Sequence, residues 1–126
     1  MFKKLFCFLF GIMFSSNVCN GILMEILHSD FSFIIDTKNN TAILRHIYIP
    51  AGTKKVIEIP QFVEDYRGDR YIVRDIQEDA VKKVIHRIES VTLPNTLRET
   101  DENKKALNWF VIYDLPITIN CTPLEK

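Results

Sequence analysis

One short pattern occurs three times between residues 57 and 120 of this 126-residue chain. An apolar, a polar and another apolar residue are followed by Pro or Asn at 57–60, 91–94 and 117–120, with spacings of 34 and 26 residues. Repeats on this scale are typical of stacked units that each place one strand in a shared sheet. Alternate strand residues point to opposite faces, so Glu58, Thr92 and Thr118 are predicted to point outward while their apolar neighbours point inward. One unit cannot cover its own apolar side, so its neighbours have to bury it.

The residues around these repeats resemble the treponemal-type (BspA-like) leucine-rich repeats of bacterial surface proteins. The resemblance rests on an apolar strand ending in proline at 56–60, a tyrosine-bearing turn with a glycine at 66–71, an Ala-Val pair at 80–81, and the run S-V-T-L-P-N-T-L at 90–97. It covers roughly residues 31–120. It implies a mainly β fold with short helical turns, in which an N-terminal β-hairpin precedes a short leucine-rich-repeat-like solenoid of parallel strands with two to three degenerate repeats.

The remaining segments show weaker patterns. Residues 31–36 and 41–49 are rich in β-forming residues and enclose a polar turn, which predicts a hairpin with Ile43, Ile47 and Ile49 on one face of the second strand. Apolar residues at helical spacing predict one or two helical turns within 78–89. The polar stretch 101–107 has weak helical character, whereas Trp109–Tyr113 is strongly β-prone and predicts a strand.

The N-terminus has the layout of an export signal. Lys3 and Lys4 precede an apolar run at 5–14, and small polar residues follow it. The run is too short to cross a bilayer, which takes about 20 apolar residues. We therefore predict that residues 1–21 are a signal peptide cleaved after Gly21.

Cleavage would leave residues 22–126 as a single repeat-like domain, with 22–50 as the hairpin region and 51–126 as the degenerate repeats. This part keeps 14 of the 16 Lys and Arg against 16 Asp and Glu, so its net charge of about −2 argues against a nucleic-acid partner. We expect no transmembrane helix in it.

The three cysteines determine whether the exported protein can have an internal disulfide or a lipid anchor. Cys7 and Cys19 would leave with the signal, and Cys121 alone cannot form an internal disulfide. A lipid anchor on Cys19 is the alternative, although the residues before it make a poor lipobox.

Asn39 and Asn120 lie in N-glycosylation sequons, which matter only where that pathway exists.

The sequence offers no catalytic or cofactor-binding motif. The three histidines lack metal-ligand spacing, the glycines form no phosphate-binding loop, and no Ser or Cys lies in a nucleophile motif. Carboxylate pairs such as Asp65 and Asp69 lie in turns, where acids favour capping contacts. We therefore expect no enzyme activity, no cofactor and no metal.

The residues most typical of a partner-binding site are aromatic and basic. They are Tyr66, Arg67, Arg70, Tyr71 and Arg74, of types favoured at interaction hot spots, and the outward Glu58, Thr92 and Thr118 complete the candidate set. The alternative for the first group is a solvated turn whose charge nearby aspartates balance. Trp109 and Phe110 are predicted to lie in the core or to cap the last repeat, whereas an exposed apolar patch there would indicate a docking surface.

Together these features predict a small secreted, periplasmic or cell-surface protein that binds a protein or another macromolecule. The resemblance implies surface attachment or contact with a host or matrix. The first alternative is a non-binding structural or accessory domain, such as a remnant of a longer array. The second alternative is an exported enzyme or inhibitor, which the missing catalytic motifs disfavour.

Overall fold

A computed structural model of the chain describes residues 23–123, and the predicted signal peptide lies outside the described residues. The described chain forms eight strands, two α-helices and a short 3-10 helix. These elements are β1 Leu23–His28, β2 Phe31–Asp36, β3 Thr41–Ile47, β4 Lys55–Glu58, β5 Phe62–Glu64, β6 Arg70–Ile76, α1 Glu78–Lys82, the 3-10 helix Ile85–Arg87, β7 Ile88–Pro94, α2 Asp101–Ile112 and β8 Ile117–Asn120.

The N-terminal half builds a five-stranded sheet in the order β1-β2-β3-β6-β5. The predicted hairpin is present as β2 and β3, and β1, which the sequence analysis missed, adds a third antiparallel strand. The predicted faces of β3 are wrong beyond Leu44. Phe33 pairs with Leu44 but Ser32 pairs with His46, so Arg45 is an extra residue in a β-bulge. The bulge moves the buried side from Leu44 to Ile47.

The three recurring segments lie side by side in a second sheet, in the order β4-β7-β8, and all are parallel. The register aligns equivalent positions: Ile57 pairs with Val91, which pairs with Ile117. Ile57 and Val91 are buried, as the alternating pattern predicts. Ile117 lies on the same inner side but is 40% exposed, because β8 is the last strand of the sheet.

The predicted strand at Trp109–Tyr113 is wrong, because the helix α2 runs through residue 112. Thr100 caps the helix by accepting the backbone N–H of Asn103 at 3.1 Å. Three buried residues, Asn103, Ala106 and Phe110, follow the i, i+3, i+7 spacing of one helix face. This face packs toward α1 and β6, and tertiary packing overrides the β propensity of the last residues.

Asn103 joins the helix to the sheet through its buried side chain. Its Oδ1 accepts the backbone N–H of Ile76 at 2.8 Å, while its Nδ2 donates to the backbone carbonyls of Arg74 at 3.1 Å and Arg98 at 2.7 Å. One amide therefore satisfies backbone groups of both β6 and the loop after β7. Asn108, on the opposite side of α2, is exposed.

Substitution of Asn103 by Ala should lower the free energy of unfolding by roughly 2–3 kcal/mol, because buried backbone groups lose their partners. The same change at Asn108 is the matched control and should alter stability by less than about 0.5 kcal/mol. Urea unfolding followed by circular dichroism measures both. Equal effects would contradict the role assigned to the Asn103 amide.

Candidate partner-binding surface

A row of polar side chains crosses the outer face of the second sheet. Glu58 pairs with Thr92, which pairs with Thr118, so one residue from each strand occupies the row. Glu58 and Thr118 are exposed and Thr92 is half-buried. Beside this row Val56 pairs with Ser90, and Val56 is 65% exposed. The face thus combines polar side chains, one carboxylate and one apolar group.

Buried neighbours hold this face in place. The residues that alternate with the row, among them Ile57, Val91 and Leu93, lie in the core. At the strand ends, the buried Gln61 donates from Nε2 to Asn95 Oδ1 at 2.8 Å and to the Thr122 carbonyl at 2.7 Å. One side chain therefore ties together the segments that follow β4, β7 and β8, which orients the outer face as a unit.

A depression of about 410 Å³ borders the face where β4 approaches the turn between β1 and β2. Phe31, Val56 and Glu58 are among its lining residues. Its floor and rim can accept a side chain of a molecule that lies on the sheet. Near the depression, Lys55 Nζ bonds to Asp30 Oδ2 at 2.6 Å and holds β4 against this turn.

The aromatic and basic candidates do not form one surface. Tyr66 is 89% exposed and Arg67 lies beside it at the tip of the β5–β6 turn. Tyr71 is a correction to the predicted placement, because it is 2% exposed and its hydroxyl donates to Asp65 at 2.9 Å. It belongs to the core, since its place in β6 points it inward, and it has no surface to offer a partner.

The two remaining arginines contact different parts of the molecule. Arg70 lies over the ring of Phe62, with 4.1 Å between the guanidinium carbon and the ring centroid, and pairs with Glu64 at 3.3 Å. Arg74 is half-buried, and its guanidinium donates to the backbone carbonyl of Thr96 at 3.4 Å. Arg74 therefore contacts the loop after β7 and not the turn tip that carries Tyr66 and Arg67.

Asp65 organises the β5–β6 turn. Burial by itself raises the pKa of its carboxyl, but hydrogen bonds from Tyr71 and from the backbone N–H groups of Asp69 and Arg67 outweigh burial and hold the pKa below its ordinary value. Burial and the bond to Asp65 raise the pKa of the Tyr71 hydroxyl. Asp69 and Asp65 together raise the pKa of Arg67. Gly68 completes the turn with a φ of +87°, a conformation that glycine adopts without strain.

Residues 23–123 contain neither a metal-ligand cluster nor a membrane-spanning helix. These residues contain no group of three His, Cys, Asp or Glu side chains placed to hold a metal ion. Within the same range no helix is long and apolar enough to span a membrane.

A crystal structure of a leucine-rich repeat protein from Bacteroides capillosus is similar to this chain, with a TM-score of 0.56 and 22% sequence identity. The chain has a leucine-rich-repeat-like fold. The likeness covers 76% of this chain and 65% of that protein, so the chain spans slightly less than two thirds of its neighbour's length. No family model and no curated protein matches the sequence. The comparison supports the repeat fold, and the treponemal-type family remains a resemblance.

In a leucine-rich-repeat-like fold, the parallel strands form one continuous face. The outward residues Glu58, Thr92 and Thr118 were found from the period of two in the sequence. Val56 and the lining of the neighbouring depression were not predicted. The depression forms where β4 meets the β1–β2 turn, and this contact between distant segments leaves no pattern in the sequence of β4.

The lowered pKa of Asp65 has a consequence for stability in acid. Its contribution is fully present above the ordinary pKa of 3.8 and is lost as the pH falls through the lower folded-state pKa. We expect Asp65→Asn to be less stable than the wild type at pH 7 and to lose less stability between pH 4 and pH 2.5. Thermal unfolding at several pH values measures this. Parallel curves for the two proteins would contradict the assignment.

Proposed function

We propose that this protein binds another protein through the outer face of its parallel sheet, and that it does so outside the cell. The observation that carries the proposal is the aligned row of Glu58, Thr92 and Thr118, which crosses three strands on a face that residues 23–123 leave open. In this interpretation the three strands belong to a short solenoid of two to three degenerate treponemal-type repeats.

The chemistry of the face suits a protein partner. Neighbouring strands lie about 4.8 Å apart, so the row offers hydrogen-bonding groups at regular intervals along a flat surface. The exposed Val56 adds an apolar contact, and the bordering depression can take one side chain. Glu58 is the only ionised group in the row, which favours a partner with a basic residue near that end.

The turn tip carrying Tyr66 and Arg67 is a second contact region in this proposal. Both side chains are exposed, and tyrosine and arginine are enriched among residues that dominate binding energy. Arg67 pairs with Asp69 at 3.3 Å, but 58% of its side chain stays exposed. Arg70 lies over Phe62 and Arg74 is half-buried, so we assign these two to supporting the turn and the loop after β7. The alternative of a non-binding accessory domain assigns no role to the open row.

Export is the second part of the proposal, and it rests on the sequence alone. Lys3, Lys4 and the apolar run 5–14 support cleavage after Gly21, with release to the medium, the periplasm or the cell surface. Lipidation of Cys19 is the alternative outcome, and it would anchor the protein instead of releasing it.

A reversal of charge on the face tests the binding proposal. Purified protein is immobilised and exposed to extracellular proteins of the source organism, and captured proteins are quantified by mass spectrometry. We expect a partner captured by the wild type to be reduced at least about tenfold by Glu58→Arg or Thr92→Arg, because each places a long cation in the row. Glu99→Arg, which makes the same substitution as Glu58→Arg at an exposed residue outside the sheet, is the matched control and should retain capture. Capture that all variants share, or no capture by any, would contradict the proposal.

The export proposal predicts the N-terminus of the protein recovered from cells. Intact-mass spectrometry of the fraction outside the cytoplasm should show a chain that begins at Ile22. A chain beginning at Cys19 with added acyl mass would replace release by anchoring. A cytoplasmic chain that retains residues 1–21 would overturn export altogether.

A further inference from the structure

The far end of the parallel sheet is apolar and open. Five large hydrophobic side chains within a nine-residue stretch are exposed there: Val111 66%, Ile112 60%, Tyr113 47%, Ile117 40% and Ile119 49%. The remaining four exposed large hydrophobics of the described residues are scattered as Leu27, Tyr48, Val56 and Tyr66. A concentration of this kind marks a contact surface, whereas isolated exposed hydrophobics are ordinary.

The cause is the position of β8 in the sheet. The strand pairs with β7 along one edge, and within residues 23–123 no strand pairs with its other edge. Its sequence, Ile-Thr-Ile-Asn, carries no charge, proline or bulge of the kind that protects an edge from pairing. The opposite edge strand, β4, contains Lys55 and Glu58 and lies against the β1–β2 turn.

The C-terminal part of helix α2 contributes Val111 and Ile112 to this apolar end. Its Trp109 donates to Glu78 Oε2 at 2.9 Å and its Glu102 accepts the Glu78 backbone N–H at 2.8 Å, so this side of the helix faces α1. With 100° between successive residues, Lys104 and Val111 lie on the side turned away from α1. Lys104 lies in the first turn of α2, and the exposed Asp114 lies two residues beyond the end of the helix.

We propose that a second copy of this chain covers the open end, with β8 of each copy pairing antiparallel across a two-fold axis. The axis reverses the strand and the helix together, so β8 meets β8 and α2 lies beside α2. It also brings Lys104 of one copy toward Asp114 of the other, so a positive charge faces a negative charge on each side of the contact. The two sheets become one sheet of six strands, and the exposed isoleucines of each copy are covered by those of its partner.

A symmetric arrangement fits better than a head-to-tail one. Pairing β8 with β4 of the next copy would meet the charged residues of β4 and the turn that lies against it. Such head-to-tail pairing would also leave an unpaired strand edge at each end of the assembly and would produce open chains unless the rotation closed a ring. The two-fold arrangement uses the uncharged edge twice and closes as a dimer.

Sedimentation equilibrium and light scattering of the purified protein, expressed from its full sequence, test the proposal. The wild type should have twice the chain mass at tens of micromolar, and Ile119→Lys should raise the dissociation constant at least about tenfold, because it places a charge in the apolar contact. Leu27→Lys, at an exposed leucine on β1 (73% against 49% for Ile119), is the control and should remain dimeric. Circular dichroism checks that each variant is folded. A monomeric wild type, open polymers, or equal effects of both lysines would overturn the proposal.

Cys121 provides an independent test of the strand direction, because it is exposed and directly follows β8. In an antiparallel pair centred on Ile119, the two Cys121 residues lie about 13 Å apart, from four residues at roughly 3.3 Å each. A bis-maleimide of that span should link two copies in the wild type and not in Cys121→Ser. Failure to link a dimeric wild type would overturn the antiparallel pair centred on Ile119.

Discussion

The structure depends on one constraint: a short strand cannot bury its own apolar side. β7 meets the constraint because it pairs on both edges, and its Val91 and Leu93 are 1% and 3% exposed. β8 carries the same alternation at Ile117 and Ile119, yet these are 40% and 49% exposed. Burial of one such side chain stabilises a protein by about 1.5–3 kcal/mol, so a neighbouring strand has a large effect on the whole sheet. The difference between β7 and β8 is one of position and not of residue type.

Buried amides translate this stacking into a defined geometry. Gln61 joins the segments that follow the three parallel strands, and Asn103 joins α2 to β6 and to the loop after β7. The hydroxyl of Thr96 adds a bond to the Val73 carbonyl at 2.6 Å. Since an unsatisfied buried polar group is costly, these side chains specify one arrangement of the sheet against its helical layer. The outer face keeps a fixed orientation because these buried side chains hold the strands beneath it in place.

The two surfaces differ in character because alternate residues of the same strand serve each one. Thr118 points to the outer face, whereas Ile117 and Ile119 point to the inner side near the open end. A second copy paired along β8 would therefore leave the outer face free. It would also place the polar row of the second copy on the same face as the first, which links the proposed dimer to the proposed binding face through a single strand.

The sequence by itself determined the three recurring strands and which of their residues share a face, because the side-chain period of a strand is a local property. It also indicated the β2–β3 hairpin and the turn that ends in Gly68. Only the tertiary structure decided that Trp109 and Phe110 lie in a helix, since the packing of Asn103, Ala106 and Phe110 outweighs local β propensity. The tertiary structure likewise buried Tyr71 against Asp65 and left β8 at an open edge. These outcomes depend on residues distant in the chain, and no local pattern encodes which neighbours a side chain will meet.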